Sequence, residues 1–220
     1  MPNVVNISDV ITQGVLFDPK NSALLRTMDL ESLHASIPRL FDLLDQRGVD
    51  FVLVGGIAML VYVEGRNTQD IDIIVAADGP ECLPELQIEE RKGEFARGRF
   101  GGLQVDLLFT RNRLFEKVRR EHTVAQRFAE RRVRCATVEG LLLLKLFALP
   151  SLYRQGRFER VENYERDIAM LVRRYEPELE PIFEELRHHL LESDLVELRT
   201  IVGEIEARIA RSRGRFGNGE

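Results

Sequence analysis

Val52-Leu-Val-Gly55-Gly56-Ile-Ala-Met-Leu-Val-Tyr-Val-Glu-Gly-Arg66-Asn-Thr68-Gln-Asp70-Ile-Asp72-Ile-Ile74 is the stretch on which the fold and the chemistry both turn. An apolar run ends in two glycines. A second apolar run follows, and it carries two aspartates separated by a single isoleucine. Side chains alternate faces along a strand, so Asp70 and Asp72 point the same way. Two carboxylates on one face of a buried strand repel each other and are costly to bury unless a positive charge lies between them. A divalent cation is the usual solution, and Mg²⁺ favours one or two carboxylates together with substrate phosphates. A Gly-Gly turn that opens a helix offers bare backbone N–H groups to those phosphates. The stretch therefore predicts a metal-dependent nucleotide site.

Working outward, Asp29 is placed to cap a helix running to about Arg47, with Leu30, Leu33, Ile37, Leu40, Phe41 and Leu44 on its apolar face and Gly48 at its end. Phe51–Val54 reads as a short buried strand, Ile57–Val63 as a helix and Asp70–Ala76 as a second strand. Phe95–Phe100 and Leu103–Phe109 flank Gly101-Gly102, a two-residue hairpin signal. Asp106 is the one charge inside Leu103–Phe109. A lone acid in such a run either faces water at an edge or has a partner, which makes Asp106 a candidate third carboxylate. Arg131–Cys135 reads as another strand. Thr137 is placed to cap a helix Val138–Leu149 that Pro150 stops. Beyond it the pattern is helical over 160–175, 179–191 and 194–209, with a tail from Arg211 expected to fray. The expected class is α+β, a small mixed sheet followed by a helical C-terminal half. Its expected divisions are an N-terminal arm over 1–28, a core over 29–135 and a helical domain over 136–220.

The 220 residues suit one large domain or two small ones, and 44% hydrophobic with 30% charged is an ordinary globular composition. A net charge of −5 argues against a generic nucleic-acid binder, although Arg and Lys crowd residues 111–134, where either a local basic surface or a solvated helix face is expected. Cys82 and Cys135 lie far apart, show no metal-ligand spacing and read as free thiols. No stretch resembles a signal peptide, and no apolar run approaches the length of a membrane span. A cytoplasmic location and no membrane partner are expected.

The order Gly55-Gly56, Asp70-Ile-Asp72, Asp106 resembles the nucleotidyltransferase superfamily related to DNA polymerase β. That superfamily pairs a Gly-Gly or Gly-Ser turn with an Asp-hydrophobic-Asp strand and a third acid on a neighbouring strand. The segments Gly55-Gly56-Ile-Ala58 and Arg66-Asn-Thr68-Gln-Asp70-Ile-Asp72 look most like the AbiEii-like group, the nucleotidyltransferase toxins of toxin–antitoxin and abortive-infection systems. In that group a lysine and a later Asp-Ile pair follow on C-terminal helices, places that Lys145 and Asp167-Ile168 fit. The likeness covers roughly residues 35–175. One departure is Asn163-Tyr164, where members often carry Lys-Asp.

The resemblance implies two Mg²⁺ ions roughly 3.5–4 Å apart on Asp70, Asp72 and Asp106. Asp106 would help to deprotonate the attacking hydroxyl, and the N–H groups near Gly56 would bind phosphate. It places Gly55, Gly56, Arg66, Thr68, Lys145 and Asp167 around the nucleotide. Lys145, alone in the apolar run Leu141–Leu149, either snorkels to water or meets an anion, and is expected to face the triphosphate. For Arg66 a phosphate contact and a simple ion pair stand level. For Thr68 the ordinary role is a local cap or a strand-edge hydrogen bond.

The implied reaction moves a nucleoside monophosphate from an NTP to RNA, such as a tRNA 3′ end, or to a protein hydroxyl, in a toxin held by a partner antitoxin. Small-molecule acceptors are the nearest rival. The competing reading is a non-catalytic nucleotide- or RNA-binding module on the same fold, and a third has the acids salt-bridged to arginines.

Overall fold

A computed structural model describes residues 4–22, 29–129 and 131–216. These fall into two compact units divided after Thr137. The parts of the expected arm at 1–3 and 23–28, and of the expected tail at 217–220, lie outside the described residues.

The first unit opens with helix α1 (Ile7–Leu16), capped by the Asn6 side chain, which accepts from Asp9 N. Ile7, Ile11 and Val15 are buried, so this part of the expected arm is packed helix. Its short apolar spacing gave too few turns to read as periodic. Helix α2 (Leu30–Gln46) is capped by Asp29 and buries Leu33, Ile37, Leu40, Phe41 and Leu44, as the spacing predicts. Strand β1 (Phe51–Val54) leads into α3 (Gly55–Met59), which is shorter than the helix expected to Val63. Then come β2 (Asp70–Val75), β3 (Gln87–Lys92), β4 (Phe95–Phe100), β5 (Leu103–Phe109), α4 (Arg113–Glu121), β6 (Thr123–Arg127) and β7 (Arg132–Ala136).

The seven strands form one mixed sheet in the order β3-β4-β5-β2-β1-β7-β6. β2 is antiparallel to β1 and parallel to β5, and β1 is parallel to β7. Gly101 and Gly102 both have positive φ, 54° and 86°, which a tight two-residue hairpin between β4 and β5 requires. Three elements have weak sequence signals. β3 is Gln-Ile-Glu-Glu-Arg-Lys and solvent-exposed throughout, so no apolar alternation marks it. β6 is a similarly polar edge. In α4 only Leu114, Phe115 and Val118 are buried, behind an Asn112 cap.

The second unit is helical: α5 (Val138–Arg154), α6 (Phe158–Tyr175), α7 (Leu179–Leu186) and α8 (Glu192–Phe216). An α+β sheet unit followed by a helical half is the class the sequence predicts. Three helix ends differ from expectation. α7 stops at Leu186 rather than at 191, with the Arg187 N–H donating back to the Phe183 carbonyl. α5 runs through Pro150 to Arg154. An interior proline costs about 3 kcal/mol, but Leu146, Leu149, Pro150 and Leu152 are all buried here, and that burial outweighs the lost hydrogen bond. α8 continues past Ile209, where Arg213 donates to the Arg173 carbonyl at 2.9 Å and pairs with Glu176. Among the described residues no helix is long and apolar enough to cross a membrane.

Candidate functional site

Asp70 and Asp72 sit at the start of β2, and β5 runs parallel beside it. The register sets Asp70 opposite Gln104 and Asp72 opposite Asp106. All three acids therefore share one face, and one carboxylate oxygen from each lies within 4.8 Å of the others. Each acid is half-buried, while Ile71, Ile73, Val105 and Leu107 on the opposite face anchor the strands in the core. Like charges directly opposite on a ladder destabilise it, so the cluster needs donors or a cation.

The donors are local. Thr68 Oγ1 donates to Asp70 Oδ1 at 3.0 Å. Gln104 Nε2 reaches Asp70 Oδ2 and Asp106 Oδ1, each at 3.4 Å. Gly56 N donates to Asp72 Oδ2 at 3.4 Å. The strongest contact is an acid–arginine pairing of the kind the third reading expects, made by a residue outside the motif. Arg97 on β4 stands opposite Asp106 and grips it with both arms of its guanidinium, Nε to Oδ1 at 2.8 Å and Nη2 to Oδ2 at 2.6 Å. The Asp106 carboxylate, with Asp70 adding a smaller attraction, holds the Arg97 guanidinium well above its ordinary pKa.

The glycine pair serves this cluster through close contact. Val54, the last residue of β1, is paired with Asp72. The chain then turns at Gly55 with φ 62°, and a Cβ there would lie 1.8 Å from Asp72 Oδ2. A Cβ on Gly56 would lie 2.2 Å from Thr68 Oγ1 and 3.3 Å from Arg66 Nε. The turn therefore touches Asp72, Thr68 and Arg66. Only glycine leaves room for the backbone to pass so close.

Residues 66–69, which belong to no helix or strand, are braced by the N-terminal segment. A Cβ on Gly14 of α1 would lie 2.2 Å from the Thr68 carbonyl oxygen. Asn21 Nδ2 donates to Gln69 Oε1 at 2.9 Å, and Gln69 Nε2 donates to Asp18 Oδ2 at 2.6 Å.

Lys145 and Asp167 belong to the second unit and meet each other there. Lys145 Nζ donates to Asp167 Oδ2 at 2.7 Å, and the two residues are 5% and 0% exposed. The ammonium also lies 4.5 Å from the ring centroid of Tyr164. Tyr164, one of the two departures from the toxin-like pattern, thus supplies a cation–π face.

Three of the arginines between 111 and 134 pair with acids of the same unit. Arg119 binds Glu116 and Asp50, Arg131 binds Asp42 and Asp45, and Arg134 binds Asp50.

No protein-family model matches the chain, and no curated protein matches it in sequence. Solved structures do. An antigenic nucleotidyltransferase-like protein from Paracoccidioides brasiliensis matches with a TM-score of 0.53 at 15% identity, covering 87% of this chain and 99% of that one. The fold is nucleotidyltransferase-like. The antibiotic-resistance factor ANT(2'')-Ia also matches, with a TM-score of 0.49 at 13% identity over 82% of this chain and 96% of that one. On this nucleotidyltransferase-like fold the three acids, the glycine turn and the Thr68 hydroxyl form one constellation within the first unit, and Lys145 pairs with Asp167 within the second.

Proposed function

We propose that this chain is a metal-dependent nucleotidyltransferase that moves a nucleoside monophosphate from an NTP to an acceptor hydroxyl. One observation carries the reading: Asp70, Asp72 and Asp106 converge on one sheet face of a nucleotidyltransferase-like fold. Three half-buried carboxylates, with amide and hydroxyl donors around them, form a hard oxygen site that suits Mg²⁺ or Mn²⁺. Asp70, Asp72 and Asp106 would hold the metal, as two Mg²⁺ ions by family resemblance. When bound, the metal would offset phosphate charge and make the acceptor hydroxyl more acidic.

This chain's own groups do the rest. Thr68 and Gln104 fix the Asp70 carboxylate from two sides, and Gly55 lets Asp72 sit against the turn. Asp106 is proposed to take the proton from the acceptor hydroxyl as its oxygen bonds to the α-phosphorus. The bond from the α-phosphorus to the bridging oxygen breaks, and pyrophosphate leaves. Gly55 and Gly56, with Thr68 and Arg66 set against Gly56, are proposed to line the phosphate side.

The acceptor is proposed to be RNA, such as a tRNA 3′ end, or a protein hydroxyl, and the setting a toxin with a partner antitoxin in the cytoplasm. The support is the sequence pattern Gly55-Gly56-Ile-Ala58 with Arg66-Asn-Thr68-Gln-Asp70-Ile-Asp72. The test is to incubate the protein with each α-labelled NTP, Mg²⁺, total RNA and a protein extract. Label entering RNA or protein, and lost in Asp70→Asn, supports the reading. Absence of label in both pools for every NTP refutes an RNA or protein acceptor. A second reading, a nucleotide-binding module without turnover, is favoured by the Arg97 fork that covers both Asp106 oxygens. Nucleotide binding without transfer would select it.

A further inference from the structure

We infer that Arg97 is a resident counter-ion that competes with metal for Asp106, so that the third carboxylate becomes available only when the guanidinium is drawn away. The inference rests on the metal-dependent reading above. Its ground is geometric. Asp72, Asp106 and Arg97 occupy one row across β2, β5 and β4, so the guanidinium lies beside the acids on the same sheet face. Both Asp106 oxygens are engaged, at 2.8 and 2.6 Å, and a fork of this kind is among the strongest side-chain pairings. The pair is sheltered, with the Arg97 side chain 29% and the Asp106 side chain 20% exposed, so water weakens it less than a surface pair. A metal ion that binds Asp106 must displace at least one of these two hydrogen bonds.

The released group has a chemical destination. Phosphate matches the guanidinium fork as well as a carboxylate does. A triphosphate arriving with its metal can take Arg97 in exchange for Asp106. Metal and nucleotide then bind together more tightly than either alone, and metal without nucleotide has to compete with the guanidinium for Asp106. Arg97 is thus a positioning residue that acts through Asp106.

The test is a nucleotide-free Mn²⁺ titration of the full chain, with free Mn²⁺ read by electron paramagnetic resonance. Wild type is compared with Arg97→Gln, Arg97→Lys, Asp106→Asn and the Arg97→Gln/Asp106→Asn double variant, and circular dichroism checks that each is folded. Replacing the fork by a neutral amide is expected to tighten Mn²⁺ binding about tenfold. Arg97→Lys, which keeps the charge and loses the fork, should fall between. In the Asp106→Asn background the Arg97 change should have no effect, because the two residues act as one unit. Equal or weaker Mn²⁺ binding in Arg97→Gln overturns the inference, as does an undiminished gain without Asp106. If no variant binds Mn²⁺, the metal-dependent reading itself falls and the inference falls with it.

Discussion

Asp72 and Asp106 face each other directly across the parallel β2–β5 ladder. The sheet thus holds two like charges at a position where a neutral pair would be more stable. Such an arrangement trades stability for function, and its removal should show both sides. Asp72→Asn is expected to abolish nucleotide transfer. In EDTA it should raise Tm by about 2–4 °C, the shift that corresponds to roughly 1 kcal/mol in a chain of this size. Unchanged transfer would remove Asp72 from the site, and a large fall in Tm would show that its hydrogen bond to Gly56 outweighs the repulsion.

The turn at Gly55 provides a graded comparison with Gly65. Both have positive φ, 62° and 75°, but a Cβ on Gly55 runs into Asp72 whereas nothing lies within 4 Å of one on Gly65. Gly65→Ala should cost only the backbone strain, about 1 kcal/mol. Gly55→Ala should cost that strain and also displace the Asp72 carboxylate, so urea stability falls further and Mn²⁺ affinity drops. Equal effects of the two substitutions on Mn²⁺ binding would show that the Gly55–Asp72 contact is incidental.

Removing one member of the buried Lys145–Asp167 pair takes the opposite charge away from the one that stays buried. Lys145→Ala is expected to lower unfolding free energy by about 3–5 kcal/mol in urea titrations. The double change Lys145→Met with Asp167→Leu should recover most of that loss. NTP affinity measured well below Tm then separates a structural role from a nucleotide-binding one. An undiminished affinity in the double variant would strike both residues from the nucleotide site.

The two thiols should behave oppositely. Cys82 is exposed and Cys135 is buried. Burial pushes the Cys135 thiol from its ordinary 9.0 up to about 12. One thiol per chain should react with a disulfide reagent in native buffer and two in denaturant. Between pH 9 and 12 the unfolded chain releases the Cys135 proton while the folded chain keeps it, so stability falls as pH rises through that window. Cys135→Ala should flatten this part of the urea-midpoint profile, and an unchanged slope would assign it to other groups.

The strand pairing at the centre of the site was open to reading because its signals are local. The two-residue spacing of Asp70 and Asp72 put them on one face. The lone charge in Leu103–Phe109 pointed to Asp106, and Gly101-Gly102 marked the hairpin. The same turn also encodes Arg97. Counting outward from Phe100 and Leu103, the third further pair is Arg97 with Asp106. Register, rather than motif, was the signal for that contact. Other features carried no local signal. β3 and β6 lie at the sheet edges with polar faces, so apolar alternation is missing. Pro150 reads as a stop in isolation, and only burial within the second unit keeps α5 going. Tyr164 read as a loss of charge, and its use as a ring beneath Lys145 depends on helix packing that spacing alone does not give.

The contact between Gly14 and the Thr68 carbonyl redraws where the working part of the chain begins. The sheet's own helix starts at Leu30, and trimming the protein to that point looks harmless. It would strip away Gly14, Asp18 and Asn21, the back wall against which Thr68 and Gln69 are set. The shortened chain would keep its strands and lose the rigidity of the approach to Asp70. In this protein the leading helix is part of the tooling of the site, and a boundary drawn by sheet membership alone cuts through it.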